Sequence, residues 1–354
     1  MEKIRFDNFV SLNRGFDLPD DKIIEGKYPV IASTSIKAYH NQFKVKAPIV
    51  VTGRSGSLGK VQYVDEDGWP LNTALYAKDF HGNNPKYVYY FLQTMHLEQY
   101  NAGAGVPTLN QNHLHSLKIL IHKLPTQQKI ASILSAYDNL IQNYKKQIEA
   151  LQTAASELYK EWFVRFRFPG WQNAKFENGI PEGWKVVLAS ELGEFVRGKN
   201  ITAEEMQEGM IPVISAGIEP SGFHNQSNVK GVSLTISNSG ANAGYLQINY
   251  SNIWAADCSY CNSAKHIYFY YELLNNMRVV LFNLQKGAAQ PHVYAKDINK
   301  MKILLPSTEL IGTANKKIKL MHEKIYSLQQ QITNLTQQRD LLLPRLMSGK
   351  LELK

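Results

Sequence analysis

The chain has 354 residues, a formal net charge of +9 and two cysteines. Hydrophobic residues make up 44% of it and charged residues 19%, an ordinary globular composition, and the length predicts two or three domains. No apolar run approaches the roughly 20 residues of a membrane-spanning helix, and two cysteines cannot frame a secreted fold. We therefore exclude both classes and expect a cytoplasmic protein. The net charge favours a nucleic-acid partner only weakly, because the basic residues form no tail.

The sequence contains an internal duplication. Arg14-Gly15 recurs as Arg197-Gly198 at an offset of 183, and Ser55-Gly56 recurs as Ser239-Gly240 at an offset of 184. Further matches in the same order join 25–31 to 208–214, Pro107 to Pro291, and Leu114, Lys118 and Ile119 to Ile298, Lys302 and Ile303. A period this long indicates a duplicated domain with its connector rather than a solenoid.

The first predicted domain spans residues 1–124 and the second spans residues 169–306. Each has short β-rich runs, broken by Gly- and Asn-rich turns, and then a helical stretch. The clearest β-rich runs are residues 48–52 and 232–236, and the helical stretches lie near residues 85–95 and 270–283. We therefore predict two mixed α/β domains.

Residues 125–168 and 307–354 are each predicted to form a long helix. Apolar side chains recur in both at alternating spacings of three and four residues, the pattern of a coiled-coil seam. Thr126 and Ser307, each preceded by a proline, are the predicted N-caps. The matching lengths of the seams favour packing of one helix on the other, and packing of each helix on its own domain is the alternative. The residues assigned to the seam and to partner binding are Leu134, Ile141, Ile148, Leu151, Leu158, Trp162, Ile318, Ile325, Leu328, Ile332 and Leu335.

Three strings resemble enzymatic or metal sites, but each has a structural explanation. The Asn-Pro-Lys-Tyr string at 84–87 resembles the Asn-Pro-Pro-Tyr loop of amino-methyltransferases, yet no glycine-rich cofactor loop precedes it, and a helix start explains it. Cys258 and Cys261 have zinc-knuckle spacing without a second pair. Asp20 and Glu25 stand too close in sequence to flank one metal ion. We predict no catalytic residue and no metal site.

A pair of Gly-, Asn- and Ser-rich loops is the best candidate for nucleic-acid contact. Residues 54–60 (RSGSLGK) correspond to residues 238–244 (NSGANAG) in the second copy. Small residues let the backbone approach a ligand, and Arg, Lys and Asn donate to guanine or adenine edges. A tight turn between strands explains the glycines equally well. Including a second candidate pair near Thr108 and His292, the predicted DNA contacts are Arg14, Arg54, Ser55, Lys60, Thr108, Arg197, Lys199, Asn238, Asn242, Lys286 and His292.

Several segments resemble the type I restriction-modification specificity subunits. LPTQQKIASIL at 124–134 and LYKEWF at 158–163 are similar to the central conserved region of that family. IPEGW at 180–184 looks like the opening of its target recognition domain, and LPRLMSGKL at 343–351 looks like its C-terminal end. GVPTLN at 105–110 is similar to the segment before each conserved helix. The first copy lacks the Pro-Glu-Gly-Trp lead, which leaves the edge of the first domain open.

The resemblance implies an α+β fold: two mixed α/β target recognition domains separated by two long helices that form an antiparallel coiled coil, with an internal pseudo-twofold repeat. It also implies a non-enzymatic subunit whose domains each read one half of a bipartite target in double-stranded DNA, while the helices set the spacing. By the same resemblance, two modification subunits, which bind S-adenosylmethionine and methylate adenine, are expected to dock on the helices. A restriction subunit that uses ATP and Mg is a further partner that the resemblance allows. This chain itself is expected to hold no cofactor.

Two other functions stay open on the sequence alone. A self-sufficient DNA methyltransferase or nuclease would act without partner subunits. A coiled-coil adaptor would not show the steep loss of DNA affinity with salt that phosphate contacts cause.

Overall fold

The computed structural model describes residues 1–287, 289–351 and 353, and it forms two compact units. Unit one is residues 1–143 with 331–354, and unit two is residues 144–330. Glu352 and Lys354, at the end of the predicted helical segment 307–354, lie outside the described residues. In the part of the chain that the structure describes, no helix is both long and apolar enough to cross a membrane. The domain boundaries given above remain predictions.

Unit one contains strands β1–β9, three short helices and the first part of a long helix. The strands are β1 (Glu2–Arg5), β2 (Ser11–Arg14), β3 (Tyr28–Ile31), β4 (Ile36–His40), β5 (Ile49–Gly53), β6 (Val61–Val64), β7 (Trp69–Pro70), β8 (Ala74–Asp79) and β9 (Lys118–Ile121). The helices are α1 (Phe6–Phe9), α2 (Pro85–Thr94), α3 (Gln111–Ser116) and the long α4 (Leu124–Tyr159).

The strands of unit one form two sheets and a separate pair. The four-stranded sheet has the order β2-β8-β5-β6 and is antiparallel throughout. In the three-stranded sheet β4-β3-β7, β3 runs antiparallel to β4 and parallel to β7. β1 and β9 pair antiparallel, which joins the beginning of the domain to its end.

The helix α2 packs against the four-stranded sheet and begins where the sequence predicts. The side chain of Asn84 accepts a hydrogen bond from the backbone N–H of Tyr87 (3.0 Å), and a proline occupies the first turn. The apparent methyltransferase motif is therefore a helix N-cap. Val88 and Leu92 of α2 share a hydrophobic cluster with Val50 of β5.

Unit two contains strands β10–β20, helices α5–α7 and the remainder of α4. The strands are β10 (Phe176–Glu177), β11 (Ile180–Pro181), β12 (Lys185–Leu188), β13 (Val196–Arg197), β14 (Ile211–Ile214), β15 (Gly222–His224), β16 (Ser233–Ser237), β17 (Leu246–Asn249), β18 (Trp254–Ala255), β19 (Cys258–Cys261) and β20 (Lys302–Leu305). The helices are α5 (Ile267–Asn276), α6 (Arg278–Asn283) and α7 (Ala295–Asn299), followed by the long α8 (Thr308–Met347), which both units share.

The topology of unit two repeats that of unit one. Its sheets have the orders β13-β19-β16-β17 and β15-β14-β18, and β12 pairs with β20 as β1 pairs with β9. Internal contacts repeat as well: His115 accepts from the backbone N–H of Leu12 (3.0 Å), and Asn299 accepts from that of Phe195 (2.8 Å). The predicted duplication is confirmed. The hairpin β10–β11 carries the additional lead of the second copy and has no counterpart within residues 1–124.

The predicted N-caps of the long helices have different outcomes. Ser307 precedes α8, and its hydroxyl accepts a hydrogen bond from the backbone N–H of Leu310 (3.3 Å), so this cap is confirmed. The prediction for Thr126 is wrong, because α4 begins at Leu124 and the N–H of Thr126 already donates to the carbonyl of Lys123 (3.0 Å). A proline fits the first turn of a helix, so α4 starts before it rather than after it.

Within each unit, the long helices run antiparallel. In unit one, Ile130 and Leu134 of α4 share a hydrophobic cluster with Leu343 and Leu346 of α8, and further along α4 Asp138 pairs with Arg339. Positions therefore descend on α8 as they ascend on α4. In unit two, the other half of α4 packs with the first half of α8 in a cluster that includes Ala155, Tyr159, Ile311, Ala314 and Ile318.

The predicted seam residues are buried or half-buried without exception. Because the same clusters include Tyr87 of the first domain and Phe269 of the second, the helices pack on each other and on the domains, so both packing alternatives are realised. The buried seam residues are Leu134, Ile141, Trp162, Ile318, Ile325 and Leu328, and the half-buried ones are Ile148, Leu151, Leu158, Ile332 and Leu335.

A polar network attaches α2 to both long helices in unit one. The hydroxyl of Tyr90 donates to Asp138 (2.5 Å), and Arg339 donates to the other oxygen of that carboxylate (2.6 Å). Burial raises the pKa of Tyr90, and the neighbouring carboxylate raises it further. Partial burial lowers the pKa of Arg339, but its bonds to Asp138 and Asp340 outweigh burial and leave that pKa raised. The tyrosine is thus a neutral donor and the arginine a fixed cation.

Unit two has a different network at the equivalent place. Tyr90 and Glu272 are each the sixth residue of their helix, and Asp138 and His322 are each the fifteenth residue of theirs. Glu272 contacts Nε2 of His322 at 3.2 Å, and both side chains are 2% exposed. The other ring nitrogen of His322 lies 2.8 Å from the hydroxyl of Tyr250. Both units thus join the short helix to a long helix at equivalent positions, but with different side chains.

We predict that Asp138→Ala lowers the free energy of unfolding by about 2 kcal/mol, because it leaves both Tyr90 and Arg339 without their shared acceptor. Urea unfolding of the purified chain measures this. Asp340→Ala is the matched control, since Asp340 pairs with the same arginine but is 56% exposed, and we expect it to cost less than about 1 kcal/mol. Equal losses in the two variants would contradict the role of Asp138.

Candidate nucleic-acid interface

The two candidate segments of the first copy lie against each other. Ser55 forms a β-bridge with Thr108, and the backbone N–H of Gly56 donates to the carbonyl of Pro107 (2.9 Å). On the other side of the bridge, the N–H of Leu109 donates to the carbonyl of Arg54 (2.8 Å). Residues 54–60 and 103–109 thus form one structure, which we name the first loop surface.

The second copy builds the same structure at an offset of 184 residues. Ser239 forms a β-bridge with His292, the N–H of Gly240 donates to the carbonyl of Pro291 (3.1 Å), and the N–H of Val293 donates to the carbonyl of Asn238 (2.9 Å). We name residues 238–244 and 286–292 the second loop surface; Ala288 within it lies outside the described residues.

A glycine in the same place shapes each loop surface. Gly56 has φ +82° and Gly240 has φ +74°, in the left-handed region that other residues adopt at a cost. A Cβ built on either glycine meets no atom within 4 Å. These glycines are therefore required by the turn, and the space beside them is open to a ligand.

The predicted residues of the first copy lie on or next to the first loop surface. The backbone N–H of Arg14 donates to Gln111 at the start of α3 (3.1 Å), and its exposed guanidinium lies 3.5 Å from Asp17. The guanidinium of Arg54 donates to the carbonyl of Asn72 (3.4 Å). Lys60 is exposed at the far end of the loop, where β6 begins. Thr108 is half-buried, and its hydroxyl donates to the carbonyl of Val106 (3.0 Å).

Three of the residues predicted in the second copy line one cavity. Arg197, Asn238 and His292 surround a space of about 190 Å³, together with Asp257 and other residues. Asn238 is buried, and its side-chain oxygen accepts from the hydroxyl of Ser259 (2.7 Å), so this asparagine shapes the wall of the cavity.

The other predicted residues of the second copy lie outside this cavity. Lys199 is exposed, and its carbonyl accepts from the indole N–H of Trp254 (2.8 Å). Asn242 lines a separate depression with Arg278 and Phe282. Lys286 donates to Asp297 (2.7 Å), which neutralises part of its charge. DNA contact by any of these residues remains a prediction.

Among the cavity residues that sequence reasoning missed, Asp257 and Tyr294 carry the most exposed chemistry. Asp257 carries no sequence signal, because the equivalent residue of the first copy is Thr73 and no motif includes either. Tyr294 did carry a signal: it stands two residues after His292, with the buried Val293 between them, so alternation along an extended segment places both rings on one side. The rings are stacked, with centroids 6.1 Å apart and an interplanar angle of 21°.

The strings that resembled enzyme or metal sites have structural roles. Cys258 and Cys261 are free and buried in β19, and the described residues contain no group of three or more His, Cys, Asp and Glu side chains that could hold a metal ion. Burial raises the pKa of Cys258 to about 12 and also raises that of Cys261. Asp20 begins a short 3₁₀ turn and forms an ion pair with Lys37.

Comparisons with known proteins agree with this architecture. A family model described as the type I restriction modification DNA specificity domain matches residues 2–153 and 181–341. The specificity subunit of the type I restriction enzyme MjaIX, from Methanocaldococcus jannaschii, is 28% identical to this chain. The match covers 92% of this chain and 82% of the relative. A putative type I specificity subunit of Mycoplasma genitalium is 23% identical over 99% of this chain and 94% of the relative. A crystal structure of a type I S subunit from M. genitalium has the same fold, with a TM-score of 0.69 and 20% identity, covering 100% of this chain and 96% of that chain.

The two matched segments cover most of the sequence, so the chain belongs to the family of type I restriction-modification DNA specificity domains. It is a specificity subunit with two such domains, and a recognition subunit rather than an enzyme. As such, it acts within a complex with DNA and other restriction-modification subunits. The alternatives of a self-sufficient methyltransferase or nuclease, and of an adaptor without DNA binding, are set aside by this assignment.

We predict that both cysteines of the folded chain resist alkylation at about pH 8, because the thiolate is the reactive form and a raised pKa depletes it. Mass spectrometry after treatment with iodoacetamide measures this. The same treatment in denaturant is the control and should modify both thiols. Rapid modification of the folded chain would contradict the burial of β19.

Proposed function

We propose that each specificity domain reads one half of a bipartite DNA target, and that α4 and α8 set the spacing of the halves and dock two modification subunits. The observation that carries this proposal is the repetition of one loop surface in both copies. The β-bridge and the two backbone hydrogen bonds beside it occur at equivalent positions in both loop surfaces, whereas the side chains that the surfaces present differ. A shared backbone with different side chains suits two readers of different sequences.

The side chains available to the two readers differ at equivalent positions. Arg54 of the first copy is replaced by Asn238, and Thr108 is replaced by His292. Arginine donates to the O6 and N7 atoms of guanine, whereas asparagine suits adenine. The arginine at position 14 is retained at position 197, which suits a contact that both readers make. The two halves of the target therefore have different sequences.

The catalytic chemistry belongs to partner subunits in this proposal. The modification subunits bind S-adenosylmethionine and methylate adenine, and a restriction subunit, where one joins, uses ATP and Mg. We assign no cofactor to this chain. We propose the cytoplasm as its place of action.

Methylation-site sequencing of DNA modified by the assembled complex tests the proposal. We expect one motif made of two specified parts separated by a fixed number of unspecified bases. A continuous motif, or methylation without sequence preference, would overturn it. Retention of the purified chain on DNA should also fall steeply as salt rises, because phosphate contacts release counterions.

We predict that Arg54→Ala relaxes the first half-site only, since the domains read independently. A lost bidentate arginine contact costs about 1–3 kcal/mol of discrimination at one base pair. Motif sequencing of the variant complex measures this. Arg5→Ala is the matched control, because it removes the same charge from β1, where Arg5 pairs with Asp7. Loss of both half-sites in Arg54→Ala would count against independent reading.

We predict that Leu151→Pro abolishes two-part recognition and binding of modification subunits together. Proline inside a helix removes a backbone hydrogen bond and clashes with the preceding turn, at a cost of about 3 kcal/mol or more. Co-purification and motif sequencing measure the two outcomes. Leu151→Ala keeps the helix intact and should retain the motif. An unchanged bipartite motif in the proline variant would falsify the spacer role.

A further inference from the structure

Asp257 and Thr73 occupy the same place in the two copies. The backbone N–H of Asn238 donates to the carbonyl of Asp257 (3.4 Å), as the N–H of Arg54 donates to the carbonyl of Thr73 (2.8 Å). The second copy thus places a carboxylate beside its loop surface where the first copy has a hydroxyl. This is a change of charge at a fixed point of a shared scaffold.

The carboxylate of Asp257 has spare acceptor capacity. One oxygen accepts from the hydroxyl of Ser239, and Asp257 forms no ion pair with any Lys, Arg or His in the described part of the chain. Asp257 is half-buried and faces the cavity that Arg197 also lines. A partly buried carboxylate without a cation is costly unless donors satisfy it. A ligand that brings a hydrogen-bond donor would do so.

Tyr294 differs from the equivalent residue of the first copy, and the difference removes a helix N-cap. Its equivalent, Asn110, is the N-cap of α3, and the Asn110 side chain accepts from the backbone N–H of Asn112 (2.9 Å). Tyr294 is the N-cap of α7, makes no capping bond and is 43% exposed. Loss of a cap destabilises the start of a helix. Rules of local structure are broken in this way mainly at functional sites.

The ring of Tyr294 stands in an ordered stack. It lies parallel to His292, and the ammonium of Lys296 lies 5.6 Å from the ring centroid. The cation and the neighbouring imidazole limit the orientations of the phenol. The result is a flat apolar surface held at the rim of the cavity, beside the carboxylate.

We propose that Asp257 and Tyr294 determine the sequence of the second half-site: Asp257 accepts a hydrogen bond from the N4 amine of a cytosine, and Tyr294 packs on the neighbouring base. This proposal rests on the function proposed above. Aspartate is the residue type that accepts from cytosine N4, and Arg197 in the same cavity can donate to the O6 and N7 atoms of the paired guanine. The cavity thus reads both bases of one C·G pair from the major groove.

The test is motif sequencing with the assembled complex of this chain and its modification subunits. The wild-type second half-site should contain a cytosine at one position, and Asp257→Asn should lower the preference for that cytosine by about tenfold or more while leaving the first half-site unchanged. Asn keeps an oxygen for Ser239, so the variant preserves the local fold. A second half-site without cytosine, or an unchanged motif in the variant, would overturn the proposal.

Two further variants separate base reading from a structural role. If Asp257 acts only by holding Ser239, then Ser239→Ala will reproduce the effect of Asp257→Asn, and base reading is refuted. Tyr294→Asn restores the residue of the first copy, and we expect unfolding stability to hold or rise while affinity for the second half-site falls at least fivefold. Unaltered affinity in that variant would show that Tyr294 does not contact the DNA.

The outcomes also distinguish this inference from the proposed function. If the wild-type complex shows no bipartite motif, the proposed function fails. If a bipartite motif is present and Asp257→Asn leaves it intact, only the present inference fails.

Discussion

The burial of the long helices in the domain cores is the constraint on which the rest of the structure depends. Ile130 and Leu134 of α4 lie in one cluster with Tyr87 of the first domain and Leu346 of α8, so the core of the domain is incomplete without both helices. The same holds in unit two, where α4 and α8 contribute to the cluster around Phe269. Apolar area removed from water supplies about 25 cal/mol per Å². A recognition domain that shares its core with the helices has little freedom to turn on them.

The duplicated scaffold separates what must stay fixed from what can change. Backbone hydrogen bonds such as those from Gly56 to Pro107 and from Gly240 to Pro291 use no side chain and therefore constrain no sequence beyond the glycine turn. Side chains on the same loops are free to differ, as Arg54 and Asn238 do. A recognition protein needs this division, because affinity for DNA and choice of sequence come from different atoms.

Patterns that repeat along the chain made most of the fold predictable. Every residue that the heptad spacing assigned to the seam is buried or half-buried, since a long amphipathic helix must bury its stripe, and the constant offset revealed the duplication. Contacts between segments distant in sequence were harder. The sequence suggested two loops in each copy but not that Ser55 pairs with Thr108. It gave no sign of Asp257, because a single carboxylate on a loop has no periodicity. The N-cap was wrongly predicted at Thr126 because a proline can lie either just before a helix or within its first turn, and Pro125 lies within the first turn of α4.

The unlike attachments at the sixth residues of α2 and α5 limit which parts of the chain can be exchanged. If the second domain replaced the first, Glu272 would face Asp138, and two carboxylates would compete for Arg339 in a partly buried place. A transplanted domain must therefore bring its partner position on the long helix with it. The loop surfaces carry no such requirement. New target sequences should arise readily by substitution on the loops, and by recombination only where the junction lies inside a long helix rather than before it.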